Sequence, residues 1–148
     1  MNAGVCQWVF NKLLVAQEMD MFDCIHFVGT ETEADCFEPL SRYWYQDDPF
    51  ADQAQRARKM LDDLGLEVSC YTLESNFAVY DEDTFNETVA NCILEMDIAE
   101  ILGTDTIRLD PRTTLPDEHQ GHPDLDFILE RVCEGMQQVA DGAAPRGI

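Results

Sequence analysis

Apolar residues recur every three or four positions in three segments of the chain, which is the spacing of an amphipathic α-helix. The pattern predicts helices within residues 49–65, 81–103 and 123–147. Each segment closes on a glycine, the residue that most readily takes the left-handed conformation found after helix C-termini. Asp83 is the predicted N-cap of the second helix, and Asp124 precedes the third.

Short runs rich in β-branched and aromatic residues precede and separate these helices and predict four strands. They are residues 4–10, 24–29, 67–73 and 105–110, with a weaker helical pattern over 11–22 between the first two. Strands that alternate with helices favour a parallel sheet covered by helices. The predicted fold class is therefore α/β, with four βα units in a single domain over residues 1–148.

The connections between these elements differ in length in a regular way. Each helix-to-strand connection is only a residue or two around its glycine, whereas the strand-to-helix connections are long, the one over residues 30–50 most of all. All the long connections must leave the carboxyl edge of a parallel sheet. That edge carries the site in open α/β sheets and in (β/α)₈ barrels alike. The sequence therefore predicts a functional site there.

Composition places the chain among folded proteins. Hydrophobic residues make up 45% of its 148 residues and charged residues 26%. The absence of a long apolar stretch and of a basic, cleavable leader predicts a cytoplasmic protein without a membrane partner. The six cysteines stand singly, without a CxxC pair, and several fall at apolar positions. This favours reduced, buried thiols.

The charge of the chain is strongly negative. Thirty acidic residues face nine basic ones, which gives a formal net charge of −21. This excess disfavours binding to nucleic acid. A uniformly acidic, lysine-poor composition resembles that of cytoplasmic proteins from salt-accumulating halophiles, because a Debye length of about 3 Å at 1 M salt screens the self-repulsion. An ordinary acidic protein is the alternative.

The joints between helices and strands resemble those of the sugar phosphate isomerase/epimerase family, the xylose isomerase-like TIM barrels. They are residues 61–73, 99–110 and 136–148, while residues 4–10 and 21–29 fit that family's first two strands. The resemblance implies the (βα)₄ half of a TIM (β/α)₈ barrel, which stops where a fifth strand would begin. It also implies self-association or pairing with a C-terminal half, because an open sheet exposes its strand edges.

The same resemblance implies a function. Enzymes of this family bind a small sugar or polyol, and one divalent metal (Mn²⁺, Mg²⁺, Co²⁺ or Zn²⁺) polarises the carbonyl while two carboxylates move a proton. The implied activity is metal-dependent aldose–ketose isomerisation or epimerisation. The metal ligands of the family lie on strands five to eight, so this chain alone is expected to bind no metal and to be inactive. An inosose dehydratase-like lyase, a non-catalytic half-barrel and, less favoured, an endonuclease IV-type repair enzyme are the alternatives.

Six residues are candidates for contacts with the substrate: His26, Trp44, Glu74, Asn76, Arg108 and Arg112. His26 is expected in the second strand, directed either into the barrel or towards the helices. Trp44 belongs to an aromatic-rich loop and either stacks on a sugar ring or packs that loop onto the barrel. Glu74 and Asn76 follow the third strand at the predicted site edge.

Arg108 is a charged residue within an otherwise apolar strand, so it needs a partner or a polar cavity. Asp110 is one candidate partner. Alternatively, Arg108 and Arg112 together bind an anionic group such as a sugar phosphate or carboxylate. His119 and His122 stand beside acidic residues, but three-residue spacing in a loop is weak support for a metal site.

If the acidic excess is a halophilic adaptation, the helical circular dichroism of the chain should grow as KCl is raised from dilute to molar concentration. The physical reason is that added salt screens the repulsion among the acidic side chains. A parallel series in sucrose, which stabilises folded proteins without screening charge, is the control. A full helical signal in dilute buffer that KCl leaves unchanged would contradict the halophile interpretation.

Overall fold

The computed structural model describes residues 3–111 and 124–148. The chain divides into two compact units. Unit 1 comprises Met1–Thr72 and Asp97–Arg108, and unit 2 comprises Leu73–Met96 and Leu109–Ile148. The strands are β1 (Gly4–Cys6), β2 (Cys36–Glu38), β3 (Glu67–Val68), β4 (Tyr71–Glu74) and β5 (Ile107–Asp110). The helices are α1 (Asn11–Val15), α2 (Met21–Glu31), α3 (Phe50–Leu64), α4 (Glu82–Leu94), α5 (Met96–Leu102) and α6 (Leu125–Ala143).

Strands β1, β2 and β3 of unit 1 are parallel. β2 lies between β1 and β3, and Cys36 of β2 is aligned with Gly4 on one side and Glu67 on the other. β4 and β5 form a second, two-stranded sheet. Within the described residues these two sheets stay open and do not close into a ring. Parallel strands alternating with helices confirm the predicted α/β class and are consistent with part of a TIM barrel.

Helix α3 forms where the hydrophobic pattern predicts it and buries one face, which includes Ala57 and Leu61. It ends at Gly65, whose φ of 71° lies in the left-handed region that favours glycine. The Leu66 N–H then donates to the Leu61 carbonyl at 2.9 Å, which closes the helix end. The helix–glycine–strand joint predicted from the sequence is therefore a helix cap that turns the chain directly into β3.

Two aspartates begin the helices of unit 2. The N-cap of α4 is Asp81 and not Asp83, because the Asp81 carboxylate accepts the Thr84 N–H at 2.8 Å. Asp83 lies instead in the first turn, where its charge still favours the helix. Helix α6 starts after Asp124, as predicted, and Asp124 is its N-cap, because its carboxylate accepts the Phe127 N–H at 3.1 Å.

The prediction of a second strand at residues 24–29 is wrong, since they lie inside helix α2. A reciprocal capping box starts this helix. The Asp20 carboxylate accepts the Asp23 N–H at 2.8 Å, and the Asp23 carboxylate accepts the Asp20 N–H at 3.1 Å. The buried residues Cys24, Ile25 and Val28 follow helical spacing. A short apolar run does not by itself distinguish a strand from a buried helix segment.

The true second strand, β2, lies within the predicted long loop of residues 30–50. Two other strand predictions are also corrected. Residues 7–10 form a 3₁₀ helix after β1, and the run of residues 67–73 is divided between β3 and β4. The connection from β2 to α3 is consequently shorter than the sequence pattern suggests.

The cysteines follow the buried-thiol prediction in part. All six lie in the described residues and none forms a disulfide; Cys24, Cys36 and Cys92 are buried, whereas Cys133 is exposed. Burial, with a smaller contribution from nearby carboxylates, raises the pKa of Cys24 and of Cys92 to about 12. Both therefore remain neutral thiols at physiological pH. Throughout residues 3–111 and 124–148, helices are too short or too polar to cross a bilayer.

A methyl group at Gly135 should destabilise the protein. A Cβ there would lie 2.5 Å from two ring atoms of Phe77, which is fully buried and packs edge-on against Phe85. This overlap should outweigh the gain of about 1 kcal/mol in helix propensity. We expect Gly135→Ala to lower the free energy of unfolding by about 1–3 kcal/mol in urea titrations. Glu130→Ala, on the exposed side of α6, is the control. Equal or greater stability of Gly135→Ala would contradict the described packing of Phe77.

Candidate functional site

Polar side chains from three strands meet in unit 1. Glu38, the last residue of β2, pairs with Arg108 of β5, with 2.9 Å between Oε1 and Nη1. Thr72 of β4 donates its hydroxyl to the same carboxylate oxygen at 2.7 Å. The Glu38 side chain is 15% exposed and the Arg108 side chain 48% exposed. The Glu38 carboxylate is thus mostly buried and bonded to protein groups, whereas nearly half of the Arg108 side chain is exposed to solvent.

Two thiols lie in the same electrostatic environment. Cys6, the last residue of β1, is aligned with Glu38 in the sheet. Burial raises the pKa of Cys6 and of Cys70, and the Glu38 carboxylate raises both further. Both groups are therefore neutral thiols near pH 7, and neither is an activated nucleophile. The charge in this cluster belongs to Glu38 and Arg108.

The partner of Arg108 was only partly foreseeable. The charge within an apolar strand correctly indicated that a partner was needed, but that partner is Glu38 and not Asp110. Glu38 and Thr72 were missed because β2 was taken for loop. The run Cys36–Phe37–Glu38, apolar and then acidic just before Pro39, was the pattern that could have revealed a short strand ending at the site edge.

A cleft of about 510 Å³ lies in unit 1 between the connections that follow β1 and β2. Hydrogen bonds hold two tyrosines that line it: Tyr43 donates to Asn11 Oδ1 at 2.7 Å, and Tyr45 donates to Asp20 Oδ2, across the cleft lining, at 2.7 Å. The bond to Asp20 raises the pKa of Tyr45. Gln53 of α3 accepts the Tyr45 N–H and donates to the Tyr45 carbonyl. The cleft therefore has walls that are fixed without a ligand.

Trp44 lines this cleft but is almost completely buried, with 3% of its surface exposed. Its Nε1–H donates to the Tyr71 hydroxyl at 2.7 Å, and the two rings pack at a tilt. This placement fits the alternative in which Trp44 anchors the connection after β2, because little of the ring is open for stacking on a sugar. The buried Trp44 side chain thus anchors the backbone of the connection after β2, which lines the cleft.

The other predicted contacts are not gathered at the Glu38–Arg108 pair. His26 is exposed on helix α2, so it occupies neither of the two orientations expected of a strand residue. Glu74, at the end of β4, and Asn76, just after it, belong to unit 2. Arg112, together with His119 and His122, lies outside the described residues.

The described residues do not fit the divalent metal that the family implies. Over residues 3–111 and 124–148, no group of three or more histidine, cysteine, aspartate and glutamate side chains is arranged to hold a metal ion. Around Glu38 the neighbouring groups are neutral thiols and the Arg108 cation, which repels another cation.

The sequence matches the family described as xylose isomerase-like TIM barrel over residues 22–148. The chain belongs to this family. The match confirms the family inferred from the helix–strand joints. No curated protein matches the chain.

The fold of this xylose isomerase-like chain resembles that of a solved structure. A crystal structure of protein SMc04130 from Sinorhizobium meliloti 1021 has a TM-score of 0.71 and 17% identity, and the match covers 99% of this chain and 48% of that one. A xylose isomerase domain protein from Planctomyces limnophilus has a TM-score of 0.47 and 14% identity, with 75% and 42% covered. The chain thus spans about half the length of the Sinorhizobium protein, and at 17% identity that likeness shows fold alone.

The Glu38–Arg108 pair should be energetically coupled. We expect Glu38→Gln and Arg108→Met each to lower the free energy of unfolding, and the double variant to lose less than the sum. The coupling should be about 1 kcal/mol or less, because Arg108 is half exposed. Urea titrations at constant KCl measure it. Arg56→Met, which removes the arginine that stacks on Phe22, is the control and should add to Glu38→Gln without coupling. Strict additivity of Glu38→Gln and Arg108→Met would contradict the pair.

Proposed function

We propose that this chain supplies the first strands of a sugar- or polyol-binding barrel of the isomerase or epimerase type. The observation that carries the proposal is the polar cluster of Glu38, Thr72 and Arg108 on strands β2, β4 and β5. Strands of a parallel sheet covered by helices normally carry apolar residues throughout. Charged side chains on such strands therefore need a partner or have a functional role. Ligands of α/β folds bind at the carboxyl ends of the strands, where Glu38 lies.

In the proposed site Arg108 is the ligand-binding group. A guanidinium binds phosphate or carboxylate through two parallel N–H donors, which neutral side chains do not match. Glu38 holds one side of the guanidinium and limits its orientations, and Thr72 in turn holds Glu38. This arrangement favours a sugar that carries an anionic group, such as a sugar phosphate or a sugar acid, over a neutral sugar.

The role proposed for these residues is to bind and orient the substrate. Isomerisation or epimerisation moves a proton between carbons and needs groups that stabilise the intermediate negative charge. The neutral Cys6 and Cys70 do not take up that proton, and Glu38 is engaged with Arg108 and Thr72. We therefore assign no proton transfer to this cluster. The divalent metal of the proposed activity would need ligands other than the described residues.

Titration with glucose 6-phosphate, glucose and inorganic phosphate, followed by calorimetry for the wild-type chain and for each variant, tests the proposal. The sugar phosphate should bind most tightly, because it combines hydroxyl groups with an anionic group. Arg108→Met should weaken its binding by about tenfold or more, the usual worth of a hydrogen bond to a charged group. Arg56→Met removes a guanidinium elsewhere in unit 1 and should leave the affinity unchanged.

Two results would count against the proposal. Inorganic phosphate that binds as tightly as glucose 6-phosphate would indicate a simple anion site with no recognition of the sugar. Equal losses of affinity in Arg108→Met and Arg56→Met would mean that the ligand responds only to the total charge of the protein. The titrations are made at the lowest KCl concentration that keeps the chain folded, because salt weakens anion binding.

A further inference from the structure

Gln7 directly follows strand β1, and its side chain is fully buried. Parallel strands exchange hydrogen bonds at every second residue, and in this sheet the Cys36 N–H donates to the Ala3 carbonyl at 3.2 Å. Continued in the same register, the ladder would bring the Leu40 N–H to the main-chain carbonyl of Gln7. The chain turns into a 3₁₀ helix at this residue instead. The Leu40 N–H therefore needs another acceptor at the end of the ladder.

The side chain of Gln7 supplies that acceptor. Its Oε1 accepts the Leu40 N–H at 2.9 Å. This bond also fixes the orientation of the amide, because a backbone N–H can only donate and must therefore face the oxygen. Nε2 consequently points away from Leu40, and within the described residues it is buried without a hydrogen-bond partner. The amide thus extends the ladder as a peptide group would, and its own donor is unused.

A buried amide donor without a partner is unusual. Nearly all buried polar groups in proteins are hydrogen-bonded, because an unpaired group loses its contacts with water and gains nothing in return. Gln53 shows the ordinary case in the same unit. It is 1% exposed, its Oε1 accepts the Tyr45 N–H, and its Nε2 donates to the carbonyls of Tyr45 and Asp48. Gln53 uses both ends of its amide, whereas Gln7 uses only one.

The unused donor belongs to the end of the sheet that holds the Glu38–Arg108 pair. Gln7 directly follows the residue of β1 that is aligned with Glu38. Its acceptor bond reaches Leu40, which is bridged to Thr72, and the Thr72 hydroxyl donates to the Glu38 carboxylate. All five residues belong to unit 1. The carboxyl ends of the strands are also where ligands of α/β folds bind.

We propose that Gln7 is a further ligand-binding residue of the Glu38–Arg108 site, and that its Nε2 donates to a hydroxyl or carbonyl oxygen of the sugar. The inference rests on the proposed function, because it assigns Gln7 to the same ligand. Nε2 has no contact with solvent, so the ligand displaces the side chains that cover it when it binds. The oxygen of the ligand then supplies the partner that the amide lacks.

This role makes Gln7 a residue that determines specificity. Arg108 binds the anionic group of the ligand, whereas a neutral amide suits an uncharged oxygen. A site built to hydrogen-bond a hydroxyl group rejects ligands that lack it, because its buried polar group is then left unpaired. Gln7 therefore favours a sugar phosphate over a simple anion that binds to Arg108 alone.

Calorimetric titration of the full chain with glucose 6-phosphate and with inorganic phosphate tests the inference. Gln7→Met keeps the length of the side chain and removes the amide. It should weaken binding of glucose 6-phosphate about tenfold, the usual effect of losing one buried hydrogen bond, and leave the affinity for phosphate unchanged. Arg108→Met should weaken the binding of both. The affinity for phosphate thus reports whether the Glu38–Arg108 pair is intact in Gln7→Met.

Gln53→Met is the matched control, since it removes a glutamine that is equally buried but fully bonded. It should lower the free energy of unfolding in urea more than Gln7→Met, because it breaks three hydrogen bonds of its amide and Gln7→Met breaks one. The ratio of its affinities for glucose 6-phosphate and phosphate should remain that of the wild-type chain.

Deoxy analogues of glucose 6-phosphate give a second test that does not depend on the folding of a variant. One of them should bind the wild-type chain about tenfold more weakly than glucose 6-phosphate, because it lacks the oxygen that meets Nε2. The same analogue should bind Gln7→Met as tightly as glucose 6-phosphate does.

Several results would overturn the inference and leave the proposed function intact. They are an unchanged affinity of Gln7→Met for glucose 6-phosphate, equal losses for both probes in that variant, the same loss of selectivity in Gln53→Met, and deoxy analogues that all bind like the parent sugar. A wild-type chain that binds neither probe would contradict the proposed function and this inference together.

Discussion

The pairing of β2 with both β1 and β3 is the constraint on which unit 1 depends. β2 is only Cys36–Glu38, yet Phe37 at its centre is fully buried and the strand aligns its two neighbours. The same pairing sets Glu38 at the strand end, where it meets Thr72 and Arg108. Without this strand the backbone donors and acceptors of β1 and β3 that face it would lose their hydrogen-bond partners.

In a chain with thirty acidic and nine basic residues, the environment of each arginine side chain indicates its role. Arg108 is held by Glu38, and Arg131 in unit 2 is held by Glu82 and Glu134 while its guanidinium lies 3.8 Å from the centre of the Phe85 ring. The arginine of unit 2 is almost buried and serves packing. Arg108 remains half exposed, and this difference in exposure, not in charge, separates a structural cation from one that can bind a ligand.

Much of the fold was predictable because its determinants are local. Helices α3 and α6 follow from the spacing of their apolar residues. Gly65 marks the end of α3 because the chain turns there in the left-handed conformation, which glycine adopts without strain. Helix α2 and strand β2 were missed because their local pattern is ambiguous. Each is a short apolar run whose periodicity fits both structures, and the capping box of Asp20 was overlooked.

The sequence by itself determined the α/β class, the xylose isomerase-like family, the helix–glycine–strand joints and the need of Arg108 for a partner. These depend on residues close together along the chain, or on a charge that cannot be buried alone. Only the tertiary structure decided that the partner is Glu38 and that Trp44 is buried against Tyr71. Such facts depend on which strands become neighbours, and that depends on contacts between residues far apart in the sequence.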